Sequence, residues 1–213
     1  MAFGENLDLL LPSYLVDGEK TRLKDALLQF ATKNSQINYD DFYKDFEHPY
    51  FLQSDLIKEI RFAEWDEASF KKAYTDAIII SNTCDISFEN KRTINAKQCL
   101  VAPIIDLQVF LSDLKENGYK DDQIETFSST VRSQLSSNIF YLPANVKDNK
   151  EYIVLLDNIF WFPTAELNSY EIAGTRLASL SHFGYYLFIL KLSYHLCRLP
   201  ETCDREVNSE NIS

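Results

Sequence analysis

The chain predicts an α+β fold: a small, mostly antiparallel sheet interrupted by helices, preceded by a helical segment and finished by a long C-terminal helix. Three observations carry that prediction. Five short strand-like runs alternate with stretches of helical spacing. One of them, Ala77-Ile78-Ile79-Ile80, is too short for a helix and too apolar for a surface loop, so it reads as a buried strand. The apolar stretch ending at Leu199 is broken by Lys191, Ser193, His195 and Arg198, so it reads as a buried helix and not a bilayer span. Inserted helices among antiparallel strands are an α+β signature, and a small barrel is the expected answer to the exposed edges of such a sheet.

The elements follow in order. Residues 1–50 read as a somewhat separate helical segment. Leu23, Ala26, Leu27, Phe30 and Ala31 keep helical spacing, and Tyr39, Phe42, Tyr43 and Phe46 repeat it behind an Asn38 cap. Pro49 ends that piece. Residues 51–200 form the main body. Leu56, Ile60 and Phe62 mark a half-exposed strand, Asp66 to Tyr74 suggests one or two helical turns, and the central strand spans 77–81. After the polar stretch 88–97, Gln98 to Ile104 is a second buried strand, ended or bulged at Pro103. Asp106 opens a helix carrying Leu107, Phe110, Leu111 and Leu114 and stopped by Gly118. Asp121 or Asp122 caps another with Ile124, Phe127, Val131 and Leu135, completing a helical insertion over about 105–138. Strands return at Ile139–Leu142 and Tyr152–Asp157, and Phe160-Trp161-Phe162-Pro163 closes the sheet. The last helix runs from about Thr175 to Leu199, and residues 201–213 form a flexible acidic tail.

Composition narrows the function classes. With 213 residues, 46% hydrophobic and 14% aromatic, the chain is an ordered globular protein able to bury a sizeable core. A net charge of -11 without any Lys/Arg-rich run disfavours nucleic acid and anionic lipid as partners. No basic-then-apolar leader opens the sequence, so the cytoplasm is expected, with its four cysteines reduced.

The pieces resemble the MazF/PemK-type (CcdB-like) family of SH3-like barrels. Ser54-Asp55-Leu56-Ile57 is similar to that family's opening strand motif, though it lacks the glycine. Ile79-Ile80-Ser81-Asn82, Val101-Ala102-Pro103-Ile104 and Val154-Leu155-Leu156-Asp157 are similar to its later strands. The resemblance covers roughly 54–104 and 139–199. It implies an SH3-like barrel with helical insertions and either a dimeric endoribonuclease toxin or a relative with another target. Arg61 stands where the family has a basic residue, whereas Ile105 and Asp106 replace its Ser or Thr after the Pro-Ile strand.

The rim Ser81-Asn82-Thr83-Cys84-Asp85 is the richest candidate site. Asn82, Cys84, Asp85 and Arg92 would bind a partner, while Arg61, Ser81, Thr83 and Asp85 would be catalytic if the chain were a diverged ribonuclease. A Cys84 nucleophile needs a cation or imidazole nearby, and none of His48, His182 and His195 is placed to supply one. The structural expectation is a packed Cys84 beside Asn82 and Asp85 bonded to backbone amides. His195, Cys197, Cys203 and Cys99 lack zinc-ligand spacing, no glycine-rich phosphate loop exists, and Ser181-His182 has no nucleophile elbow. No metal or cofactor is expected. Asp121-Asp122 and similar acid pairs suit helix starts. The aromatics at 160–162 and 183–188 read as core, with some facing a partner. The sequence thus points to a cytoplasmic toxin–antitoxin or anti-phage component. It would work by contact with a protein partner, encoded nearby, or as a homodimer, with RNA cleavage the alternative.

Overall fold

Two-residue alternation organises the sheet. In the computed structural model, which describes residues 17–31, 37–66, 69–87, 89, 97–145 and 148–196, β1 (Asp55–Asp66) and β2 (Ser69–Ile79) form a long antiparallel hairpin. β3 (Gln98–Asp106) pairs with the other edge of β2, placing Ile78 opposite Ala102 and Ile79 opposite Val101. Leu56, Ile78, Ala102 and Ile104 therefore share one face and one core cluster, and Ile57, Ala77, Ile79 and Val101 share the other. Both faces are covered there, which is why Leu56–Ile57, Ala77–Ile79 and Val101–Ala102 are apolar without a break.

β4 (Ile139–Leu142), β5 (Tyr152–Leu155), β6 (Phe160–Pro163) and β7 (Arg176–Ser179) complete the seven strands of the described residues. The order is β4-β5-β3-β2-β1-β7, with β6 also on β3. β5 and β6 lie along the same edge of β3, on either side of a 3-10 turn at Leu156–Asn158. Leu100 accepts main-chain bonds from Ile80 and Ser81, so alternation turns Pro103 to the opposite side. Its missing N–H thus falls in the gap between the β5 and β6 pairings, and the strand continues through it.

On the first face lies α7 (His182–Leu196), burying Phe183, Leu187, Phe188 and Leu192. Leu23 of α1 (Asp17–Ala31) and the segment residues Ile37 and Phe42 join the same cluster. Gly184 lets α7 approach closely: a Cβ there would stand 2.6 Å from the Phe42 carbonyl oxygen. The second face is covered by Phe51, by Ile86 of α2 (Thr83–Ile86) and by Leu167 of α5 (Thr164–Leu167). α6 (Ile172–Thr175) follows, with Ile172 packed on the same cluster. α3 (Leu107–Glu116) and α4 (Asp121–Arg132) carry Leu107 and Val131 against Ile139, Tyr141 and Ile153. The Asp106 carboxylate accepts the Gln108 and Val109 amides as the predicted cap, and Gly118 takes a positive φ of 89° at the stop.

Two polar devices hold the periphery. Arg176 and Asp55, both buried, pair through Nε and Oδ2 at 2.8 Å, and Ser179 Oγ donates to Asp55 Oδ1 at 2.6 Å. The remaining guanidinium nitrogens donate to the carbonyls of Phe46 (3.1 Å), His48 (3.3 Å) and Tyr50, fastening that segment to the sheet. Gln134, at φ 57°, donates its amide to the Tyr141 carbonyl (2.7 Å) and accepts the Tyr141 N–H (3.0 Å), covering the outer edge of β4.

The structure corrects several expectations. The sheet does not close into a barrel: among the described residues β4 and β7 end it without pairing to each other, and β6 stays on β3. Four residues, Leu156 to Ile159, separate β5 from β6, and β6 takes the same edge of β3 that β5 occupies. Of the stretch from Asp66 to Tyr74, the described residues are not helical: Asp66 ends β1 and Ser69 to Tyr74 belong to β2. Residues 39–46 are irregular, with an isolated bridge from Tyr43 to Leu180. Asn38 accepts the Asp40 N–H at 2.8 Å in a local turn and caps no helix, since none follows it there. The last helix begins at His182 because Arg176–Ser179 is drawn into the sheet beside β1.

Candidate functional site

β1 bends where its register slips between Ile57 and Ile60. Glu59 takes a positive φ of 56° there, and the Asp76 carboxylate accepts its N–H at 2.9 Å. Beyond the bulge the hairpin leaves the rest of the sheet, because β2 pairs with β3 only from Asp76 to Ile79. The Phe62 ring of this ribbon meets the Phe160 ring of β6 with centroids 5.3 Å apart. Arg61 Nε donates to Glu166 Oε1 of α5 at 2.7 Å, and Nη2 reaches the same oxygen. That pairing holds the guanidinium firmly protonated.

Between ribbon and β6 lies a cleft of about 640 Å³. Consecutive residues of both strands wall it, Arg61 to Ala63 and Phe160 to Pro163, with Lys71, Lys72 and Glu166 at its border. Alternation along β6 buries Phe162 and turns Trp161 outward, 59% exposed. Its register partner Leu100 is 46% exposed, so the two make one apolar patch across β3 and β6. The surroundings combine cations with aromatic rings in a chain of net charge -11.

The rim predicted from the sequence lies elsewhere and its side chains hold the chain together. Ser81 Oγ accepts the Leu100 N–H at 2.8 Å, and Thr83 Oγ1 accepts the Gln53 N–H at 2.9 Å. Asn82 accepts the Cys84 N–H at 2.9 Å, capping α2 as expected of a turn-shaping amide. Gln53 in turn donates to the Ile80 carbonyl at 2.7 Å and accepts from the Tyr185 hydroxyl at 3.0 Å. Cys84 is exposed, contrary to the packed position expected of it, because the cap turns α2 so that Ile86 enters the core in its place. The buried thiol is Cys99, donating to the Phe162 carbonyl at 3.4 Å and pushed by burial up to about 11. Arg92, Cys197 and Cys203 lie outside the described residues.

Of the predicted site residues, then, Arg61 lies in the cleft, while Ser81, Asn82 and Thr83 are engaged in the turn beyond β2. Glu166, Lys71, Lys72 and the outward Trp161 complete the cleft; the only sequence hint was the aromatic run at 160–162. Among the described residues no group of three His, Cys, Asp or Glu is placed to hold a metal ion. No helix among them is long and apolar enough to cross a membrane. Comparison with models of known protein families and with curated proteins finds no match to this chain.

Proposed function

We propose that the protein is a cytoplasmic binding component of a bacterial conflict system, toxin–antitoxin or anti-phage, that acts by engaging a partner protein. In this reading the fold is a diverged SH3-like barrel left open along one seam. The observation that carries it is the paired exposure of Leu100 and Trp161, large apolar side chains on neighbouring strands. Such patches on soluble chains serve contacts, and Trp is a preferred anchor in them. The hydroxyls and amide of the 81–83 rim support the same reading, being committed to backbone amides and not to a substrate.

One observation favours ribonuclease activity as the second reading: Arg61 shares its cleft with Lys71, Lys72 and four aromatic rings, a combination that also suits single-stranded RNA. Incubating the pure, partner-free protein with RNA separates the two. The binding reading expects intact RNA and no growth arrest on overexpression. Cleavage that Arg61→Ala abolishes would overturn it.

A further inference from the structure

The seam has two unused strand edges. β7 pairs with β1 only from Asp55 to Ile57, so among the described residues the outer edge of β1 has no ladder partner alongside Arg61 to Ala63. β6 is paired through β3 alone, which leaves its outer edge in the same condition. β1 is held across the cleft by side chains, Phe62 on Phe160 of β6 and Arg61 on Glu166 of α5, and not by main-chain bonds to β6. Unpaired strand edges are templates for a further strand.

Resting on the partner-binding reading, we infer that the seam receives an extended segment of the partner. That segment adds as a strand along β6 and carries acidic side chains alternating with apolar ones. Strand addition supplies affinity through main-chain bonds and specificity through pockets for alternate side chains. Here alternation along β6 separates Trp161 from Phe160 and Phe162, so an added strand sets its alternate side chains against the exposed Trp161–Leu100 patch on one face and against the Phe62–Phe160 ring pair on the other. Charge selects the segment. Lys71 and Lys72, successive residues of β2, both line the cleft in a strongly acidic protein, so an acidic segment is drawn here. An RNA strand satisfies the charge but makes no use of the open edges.

The test uses the full chain and a labelled octapeptide of alternating Glu and Val, read by fluorescence anisotropy. Saturable binding is expected. A peptide of the same sequence N-methylated at alternate residues keeps every side chain and charge but loses half its N–H donors; it should bind at least about tenfold more weakly. Lys71→Glu with Lys72→Glu, or Trp161→Ala alone, should weaken binding of the parent peptide about tenfold with an unchanged circular-dichroism spectrum. The N-methylated arm leaves the protein unaltered and so stands even if a variant misfolds. No saturable binding, equal binding of the N-methylated peptide, tighter binding of a Lys-Val peptide, or tighter binding of octauridylate each overturns the inference, the last assigning the cleft to nucleic acid. If the native partner is captured equally well by the Lys71→Glu/Lys72→Glu protein, partner binding stands and the seam falls. If the peptide binds while RNA is also cleaved in an Arg61-dependent manner, the seam stands and the non-enzymatic reading falls.

Discussion

Replacing Arg176 by methionine should cost about 4 kcal/mol, the penalty expected when one member of a buried ion pair is removed. The geometry explains why the loss is large. Arg176 and Asp55 are 7% and 1% exposed at the side chain, and the guanidinium also serves the carbonyls of Phe46, His48 and Tyr50. Methionine fills most of the volume but leaves a buried carboxylate without its cation and these carbonyls without their donor. Against a total stability on the order of 5–15 kcal/mol, the variant should unfold at far lower urea than the parent.

The pH dependence gives a sharper test. Burial raises the Asp55 carboxyl above its usual range, against the lowering influences of the Ser179 hydroxyl, the Leu52 amide and Arg176. A carboxyl whose folded pKa is raised loses stability as pH climbs through its unfolded value near 4. Removing Arg176 takes away one lowering influence. The deficit of Arg176→Met should therefore be largest near neutral pH and shrink on acidification as Asp55 accepts a proton. Adding Asp55→Asn should recover about 2 kcal/mol, because the stranded charge disappears. A loss below about 1 kcal/mol at neutral pH, or a double variant no more stable than Arg176→Met, refutes the reasoning.

Two further outcomes follow from the α7 side of the sheet. Lys191 is buried, its ammonium donates to the Gln134 carbonyl, and burial lowers its pKa to about 8. Since the unfolded value lies near 10.4, the fold bears a penalty below pH 8 that is relieved as pH rises from 8 toward 10; the full gap is worth on the order of 3 kcal/mol. The stability difference between Lys191→Met and the parent, measured by urea unfolding, should drift in the parent's favour across that window. Gly184→Ala should lower stability by about 1–3 kcal/mol, seen as a reduced melting temperature, because the added methyl meets the Phe42 carbonyl oxygen at 2.6 Å.

The buried part of the sheet was legible from local pattern. The β-branched run at 77–80 and the apolar runs at 98–104, 139–142 and 152–155 announce strands because both their faces are covered. The ribbon residues 69–74 were misread because Lys71 and Lys72 interrupt any alternation, and among the described residues β1 is their sole ladder partner. Arg176-Leu177-Ala178-Ser179 carries no β-branched residue; it is a strand because Arg176 and Ser179 both close on Asp55. The aromatic spacing of Tyr39, Phe42, Tyr43 and Phe46 mimics a helix, yet Lys44 and Phe42 make main-chain bonds to Ser179 and Ser181. At the cleft, Arg61 could be picked out, but its partner lies 105 residues away and no local signal foretells it. That the sheet stays open was unreadable, because no local pattern along Phe160–Pro163 says which edge that strand takes.

A carboxamide stands in for a strand at the far end of this molecule. Because Gln134 occupies both main-chain valences of Tyr141, that flank is blunted by one residue and another chain finds neither donor nor acceptor at that position. The two flanks of the sheet are thereby unequal in stickiness. Growth by edge-to-edge stacking is checked on the β4 side, and whatever appetite for an additional strand the fold retains is confined to the side where β1 and β6 gape.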